Sequence, residues 1–235
     1  MDAAVIASVA GAGWAAGINL YGAALALGLF GRFTTLEVPD ALTRTDTLVV
    51  VGILFLLEFV ADKIPIVDSV WDLIHTAVRP AGAAVLALLL TGEAETMQQA
   101  AAALGAGGLA LSAHVTKATT RLAVNTSPEP ISNAGVSLLE DGLVAVVIWF
   151  ALSNPLIALV LVLVLVIAGT AVTVALFAVA RRGVRAWRER RRGRRLGPGP
   201  PAAPGPERGP ERGPELVPGD GEDPHQDRPT LPPSA

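Results

Sequence analysis

Cysteine is absent from this chain of 235 residues, which excludes disulfides, thiolate metal sites and cysteine nucleophiles. Lysine is nearly absent: Lys63 and Lys117 are the two, and arginine carries the rest of the positive charge. Several motifs are missing as well. There is no glycine-rich nucleotide loop, no HExxH and no GxSxG elbow, so no cofactor is expected and an enzyme is not the expected class. The start, MDAAVIASVAGAGWAAG, has no basic stretch ahead of its apolar residues. It is expected to open a first membrane span and not to be a cleaved leader.

Apolar residues are plentiful. They make up 51% of the chain, and the mean hydropathy is +0.51 even with a polar tail included. Pro155–Ala180 carries no charge at all. About 20 such residues cross a hydrocarbon core of ~30 Å. The expected fold is therefore all-α: a polytopic helical membrane protein with about six membrane segments, an amphipathic interfacial helix and a disordered C-terminal tail. The segments are expected at Ala3–Phe30, Thr47–Ala61, Ala81–Leu90, from Ala100 onward, Ala134–Leu152 and Pro155–Ala180. The third is short, so it borrows residues from its neighbour or is re-entrant. Two domains follow: residues 1–181, the helical transmembrane domain, and residues 182–235, a basic and then Pro/Gly-rich cytoplasmic tail.

Charges inside these apolar runs are the unusual feature. A charge at the bilayer centre costs at least ~2.5–3.5 kcal/mol, so such residues pair or line a watery path. Glu58 ends one run, Glu140 and Asp141 interrupt another, and Asn19 lies at mid-depth in the first. His114, Lys117 and Arg121 share one helical face in a fourth. These seven residues are the candidate polar core. Snorkelling of Lys117 and Arg121, or their pairing with Glu140 and Asp141, is favoured over substrate contact. A second set, Asp62, Lys63, Asp68, Asp72, His75 and Arg79, falls in the segment DKIPIVDSVWDLIHTAVRP. There Val67, Trp71, Ile74 and Val78 share one face, and Asp68, Asp72, His75 and Arg79 another. The expectation is an amphipathic helix, ended by Pro80, that lies in the interface with its polar face in water or else folds back into the protein. Asp68, Asp72 and His75 resemble a metal-ligand set, but such a stripe is more often solvated. Asp62 and Lys63 are expected at the interface.

Nine arginines between Arg181 and Arg195 place the C-terminus in the cytoplasm by the positive-inside rule. Counting back through six spans puts the N-terminus there too. The cluster is read as a lipid anchor and not as a nucleic-acid site. The string Leu-Leu-Glu recurs at Leu56–Glu58 and Leu138–Glu140, each within a run of three segments. That pattern suits a 3+3 inverted repeat, as in many transporters. Gly13 and Gly17 form a GxxxG, on which a homo-oligomer is expected through glycine-rich helix faces.

Three strings together, GINLYGAALALGLFGRF, EFVADKIPIVDSVWDLIHTAVRPAGA and SAHVTKATTRLAVNTSPEPISNAGVSLLEDGL, resemble a bacterial integral-membrane family known as domain of unknown function 4126. The resemblance covers roughly residues 5–155 and implies location in the plasma (inner) membrane and a shared polar core, without a settled activity. The expected function is a small secondary transporter or channel for an ion or small polar solute. Alternatives are a non-transporting scaffold or accessory subunit and, more distantly, an intramembrane enzyme acting on lipid through His75 or His114.

Overall fold

Asparagine is a poor interior residue for a helix and a strong N-cap, because its side chain competes for backbone donors. The first apolar run breaks at Asn19 for that reason. It forms α1 (Ala3–Ile18) and α2 (Leu20–Phe33), with Asn19 extended between them at φ −149°, ψ 103°. The single helix expected over Ala3–Phe30 is thus two. Asn19 Oδ1 accepts the Gly22 N–H at 2.7 Å and caps α2. At the other end of α1, Asp2 Oδ1 accepts the Val5 N–H at 2.8 Å.

The computed structural model describes residues 1–62, 64–124 and 130–195, with the side chains at 65, 66, 68, 69, 124, 130–134 and 192–195 outside that description. Lys63, the side chain of Asp68 and the tail from residue 196 therefore lie outside the described residues. The remaining helices are α3 (Asp40–Thr43), α4 (Thr45–Ala61), α5 (Pro65–Thr91), α6 (Thr96–Val124), α7 (Pro130–Ser153) and α8 (Pro155–Arg195). Among the described residues there is no strand. Proline opens α5, α7 and α8, where its missing N–H costs nothing. Residues Met1–Trp187 form one compact unit; of the second, Arg188–Ala235, the described part is helical to Arg195.

α1 and α2 make a hairpin whose tip is Asn19. Asn19 Nδ2 donates to Asp141 Oδ1 on α7 at 2.8 Å. Ser8, back along α1, donates to the Ala151 carbonyl at 3.3 Å. Phe30, forward along α2, packs edge-on against Trp149 with ring centroids 5.3 Å apart. Both helices therefore leave Asp141 and run alongside α7 toward the same end. At 16 and 14 residues they are about 24 and 21 Å long. Among the described residues three helices are long and apolar enough to cross a membrane, at Val70–Thr91 in α5, Gly135–Ser153 in α7 and Pro155–Arg191 in α8.

The segment expected to lie at an interface is instead the first half of α5, and Pro80 sits inside that helix without ending it. Proline removes one ladder bond. Packing outweighs that loss here, because Arg79, directly before the ring, is held by Glu58 from α4 and by His114 from α6. α6 also comes close at Gly107, where a Cβ would meet the Pro80 carbonyl oxygen at 3.3 Å.

Small residues fill the interior. Ala12, Ala15, Ala16, Ala106, Ala110 and Ala113 are buried, while Val160, Leu163, Val164 and Ile167 of α8 are exposed. Close approach of small residues is how helices associate in lipid, and large apolar side chains then face outward. The Gly13–Gly17 face is used within the chain. A Cβ on either glycine would lie 2.7 Å from a backbone Cα of α6, Ala106 for Gly13 and Ala110 for Gly17. That face packs against α6 within the chain.

Candidate functional site: buried charges at the hairpin tip

Where α1 ends, its last carbonyls have no helical partner and carry partial negative charge. Two buried cations meet them. Arg79 of α5 donates to the Gly17 carbonyl at 3.3 Å, and Lys117 of α6 donates to the Ile18 carbonyl at 3.0 Å. Each cation anchors a cluster of side chains around the tip.

Arg79 is fully buried, as is Glu58, which it bonds through Oε1 at 2.6 Å. The same guanidinium reaches Asp72 Oδ1 at 3.3 Å and His114 Nδ1 at 2.6 Å. A guanidinium only donates, so Nδ1 of His114 must hold the lone pair. Its Nε2–H then points to Thr76 Oγ1 at 3.0 Å, and the Thr76 hydroxyl donates to the Asp72 carbonyl at 3.0 Å. His75 lies next along α5. Its Nδ1–H donates to the Trp71 carbonyl at 2.9 Å. Its ring stacks on Trp71 at 4.8 Å and meets the edge of Tyr21 at 5.8 Å.

In the second cluster Lys117 bonds Asp62 Oδ2 at 2.8 Å and stands 3.8 Å from Glu140 Oε2. Arg121 bonds the same two carboxylates, at 3.1 Å and 2.7 Å, and donates to the Asp62 carbonyl at 2.8 Å. α4, α6 and α7 are thereby tied together by one shared set of ions.

Eleven of the thirteen residues singled out from sequence can be placed, and they surround the hairpin tip. Four of them differ from expectation in their surroundings. Asp62 is 1% exposed, not interfacial. Asp72, His75 and Arg79 are only 8%, 3% and 0% exposed, so the polar face of α5 turns inward instead of to water. Pairing replaces snorkelling for Arg121, which bonds Glu140; Asp141 is bonded by Asn19. Sequence reasoning passed over Thr76, which relays between His114 and α5, and Ser137, which is fully buried. Ser137 precedes Asp141 by four residues, a spacing that puts both on one face and was readable. Among the described residues several buried polar atoms have no partner: Glu58 Oε2, His75 Nε2, Trp71 Nε1, Ser137 Oγ and Asp141 Oδ2. Among the described residues no group of three or more His, Cys, Asp or Glu is placed to hold a metal ion.

Asn19 is where hairpin and charges join. Asn19→Ala removes the cap on α2 and the partner of Asp141 together. We expect a loss of about 1–2 kcal/mol, the scale of a lost N-cap, read as a lower melting temperature of the detergent-purified protein. An unchanged temperature would show that the break does not depend on this side chain.

The fold and site define a helical bundle of membrane character, apolar outside and charged within. Residues 6–176 match the family described as domain of unknown function 4126, and the chain belongs to that family. Neither the curated proteins nor the solved structures contain a match.

Proposed function

We propose that this protein is a multi-pass protein of the bacterial inner membrane that moves an ion or small polar solute as a small secondary transporter or channel. The observation that carries the reading is a broken helix whose tip is buried among charges. Transporters commonly bind at the midplane, where discontinuous helices leave free backbone ends. Intramembrane acids and bases also mark pathways more often than not. Five carboxylates, Glu58, Asp62, Asp72, Glu140 and Asp141, face three cations here, Arg79, Lys117 and Arg121. Supply of positive charge from outside would balance them.

In this reading the α1–α2 hairpin is re-entrant, and α4, α5, α6, α7 and α8 cross. That is one crossing fewer than the six expected. Met1 bonds Gln98 at the start of α6, which puts the N-terminus at the same end as the Gly92–Glu95 connection. With Arg181 and the arginines after it in the cytoplasm, the N-terminus is then outside, not inside as the six-span count had it. An inverted repeat survives only in part: α4 and α7 run in opposite senses, as do α5 and α8, but the hairpin has no counterpart in the unbroken α6.

Flux through liposomes tests the function. Purified protein is reconstituted and screened with protons, monovalent cations, divalent metals and small anions, beside a Glu58→Gln/Glu140→Gln double variant. We expect flux of one class in the wild type and at least about tenfold less in the variant, equivalent to about 1.4 kcal/mol, with unchanged elution of the folded protein. Equal flux in both overturns the carboxylate pathway. No flux of any class favours a scaffold, for which Gly105, Gly108, Gly135 and Gly142 are glycines left open to a partner or second copy.

A further inference from the structure

Of the five carboxylates at the hairpin tip, Asp141 stands apart. Asp62 and Glu140 share Lys117 and Arg121, and Glu58 and Asp72 share Arg79. Among the described residues no cation pairs with Asp141. Its Oδ1 accepts from Asn19 Nδ2 at 2.8 Å, and its Oδ2 is buried with no partner. Ser137 is 0% exposed, and its hydroxyl also lacks a partner. A serine inside a helix ordinarily donates to the carbonyl one turn back, so an idle buried hydroxyl requires an explanation. Ser137 and Asp141 are four positions apart, so the two side chains lie on one face of α7, toward the side on which Asn19 binds.

We propose that Asp141, Ser137 and the Asn19 tip form a binding site for one small monovalent cation, sodium or a proton. One positive charge suits the site, because Asp141 is the carboxylate it offers, while Asp62 and Glu140 are already bonded by Lys117 and Arg121. A divalent ion calls for more carboxylate ligands than these positions offer. The carbonyls of Gly17 and Ile18, the backbone oxygens at the tip, are held by Arg79 and Lys117. That leaves the α7 side of the tip as the open oxygen set. Charged groups facing Asp141 are Lys117, Asp62 and Glu58, with Glu140 adjacent in sequence. The inference rests on the transport reading for the role of the ion, but binding itself can be measured without flux.

The test uses full-length protein in nanodiscs. Radioactive sodium binding is measured in mildly alkaline buffer for wild type, Asp141→Asn and Ser137→Ala, with potassium as competitor. Infrared difference spectra over a pH jump serve the proton arm. For sodium we expect saturable binding of one ion per chain, weakened at least about tenfold by Asp141→Asn, which is about 1.4 kcal/mol, and less by Ser137→Ala. For a proton we expect no sodium binding, but a carboxylic-acid carbonyl band that Asp141→Asn removes and Ser137→Ala shifts. Asn is isosteric with Asp, and both variants must elute as the folded wild type does. If neither signal depends on Asp141, the site is overturned. Binding at Asp141 with no flux keeps the site and defeats transport. Flux that persists in Asp141→Asn without such binding defeats the site and keeps transport.

Discussion

Arg79→Met is expected to be the most destabilising single substitution in this chain. The guanidinium is 0% exposed and serves Glu58, Asp72, His114 and the Gly17 carbonyl at once. Removing it leaves Glu58, also 0% exposed, as an uncompensated buried charge. Breaking one partner of a buried pair costs about 3–5 kcal/mol, most of it the stranded charge. Removing both partners costs far less, because the charge to be desolvated is gone. The double variant Glu58→Met/Arg79→Met should therefore be more stable than Arg79→Met alone. Arg79→Lys should fall between, since one ammonium on a different stem cannot reproduce the planar fork. Melting temperatures of detergent-purified variants decide this. A double variant no better than Arg79→Met would mean that Asp72, His114 and the end of α1, and not the Glu58 charge, set the cost.

Gly17→Ala ranks second. A Cβ there would lie 2.7 Å from both Ala110 Cα and Ala113 Cβ, and would press on the Ala110 carbonyl oxygen as well. Two of these atoms are backbone and cannot turn aside. Overpacking typically costs about 1–3 kcal/mol, and here α1 and α6 would have to separate. That separation moves the Gly17 and Ile18 carbonyls away from Arg79 and Lys117, which coordinate them. The loss should therefore reach the upper end of that range. Gly52→Ala on α4 is the control, because nothing lies within 4 Å of its Cβ position. It should be neutral or gain up to about 1 kcal/mol from helix propensity. Equal melting temperatures for the two variants would mean that α1 and α6 are not in the contact described.

Residue type and spacing alone determined a good part of this protein. Uncharged runs such as Pro155–Ala180 had to be helical and lipid-compatible, because a backbone in hydrocarbon must satisfy its own hydrogen bonds. The family strings were equally legible, and so were the acids and bases embedded in apolar surroundings, which identified Glu58, Lys117, Arg121 and Glu140 before any contact was known. Periodicity also placed Asp72, His75 and Arg79 on one face of a helix.

What periodicity does not carry is the direction in which that face turns. A stripe of Asp, His and Arg reads the same whether it meets water or a polar interior. Only the packing of α5 against α4 and α6 turned it inward and kept the helix running through Pro80. The fate of Asp62 was equally hidden, since its partners lie 55 and 59 residues further along the chain. Asn19 was visible as a polar residue in an apolar run, but not as the tip of a hairpin. That outcome depended on Asp141, 122 residues away, accepting its amide, and on two cations from other helices meeting the end of α1. Local sequence sets which backbone conformations and faces are available; the pairing of buried charges across distant helices chooses among them, because in a low-dielectric interior each charge must find its partner.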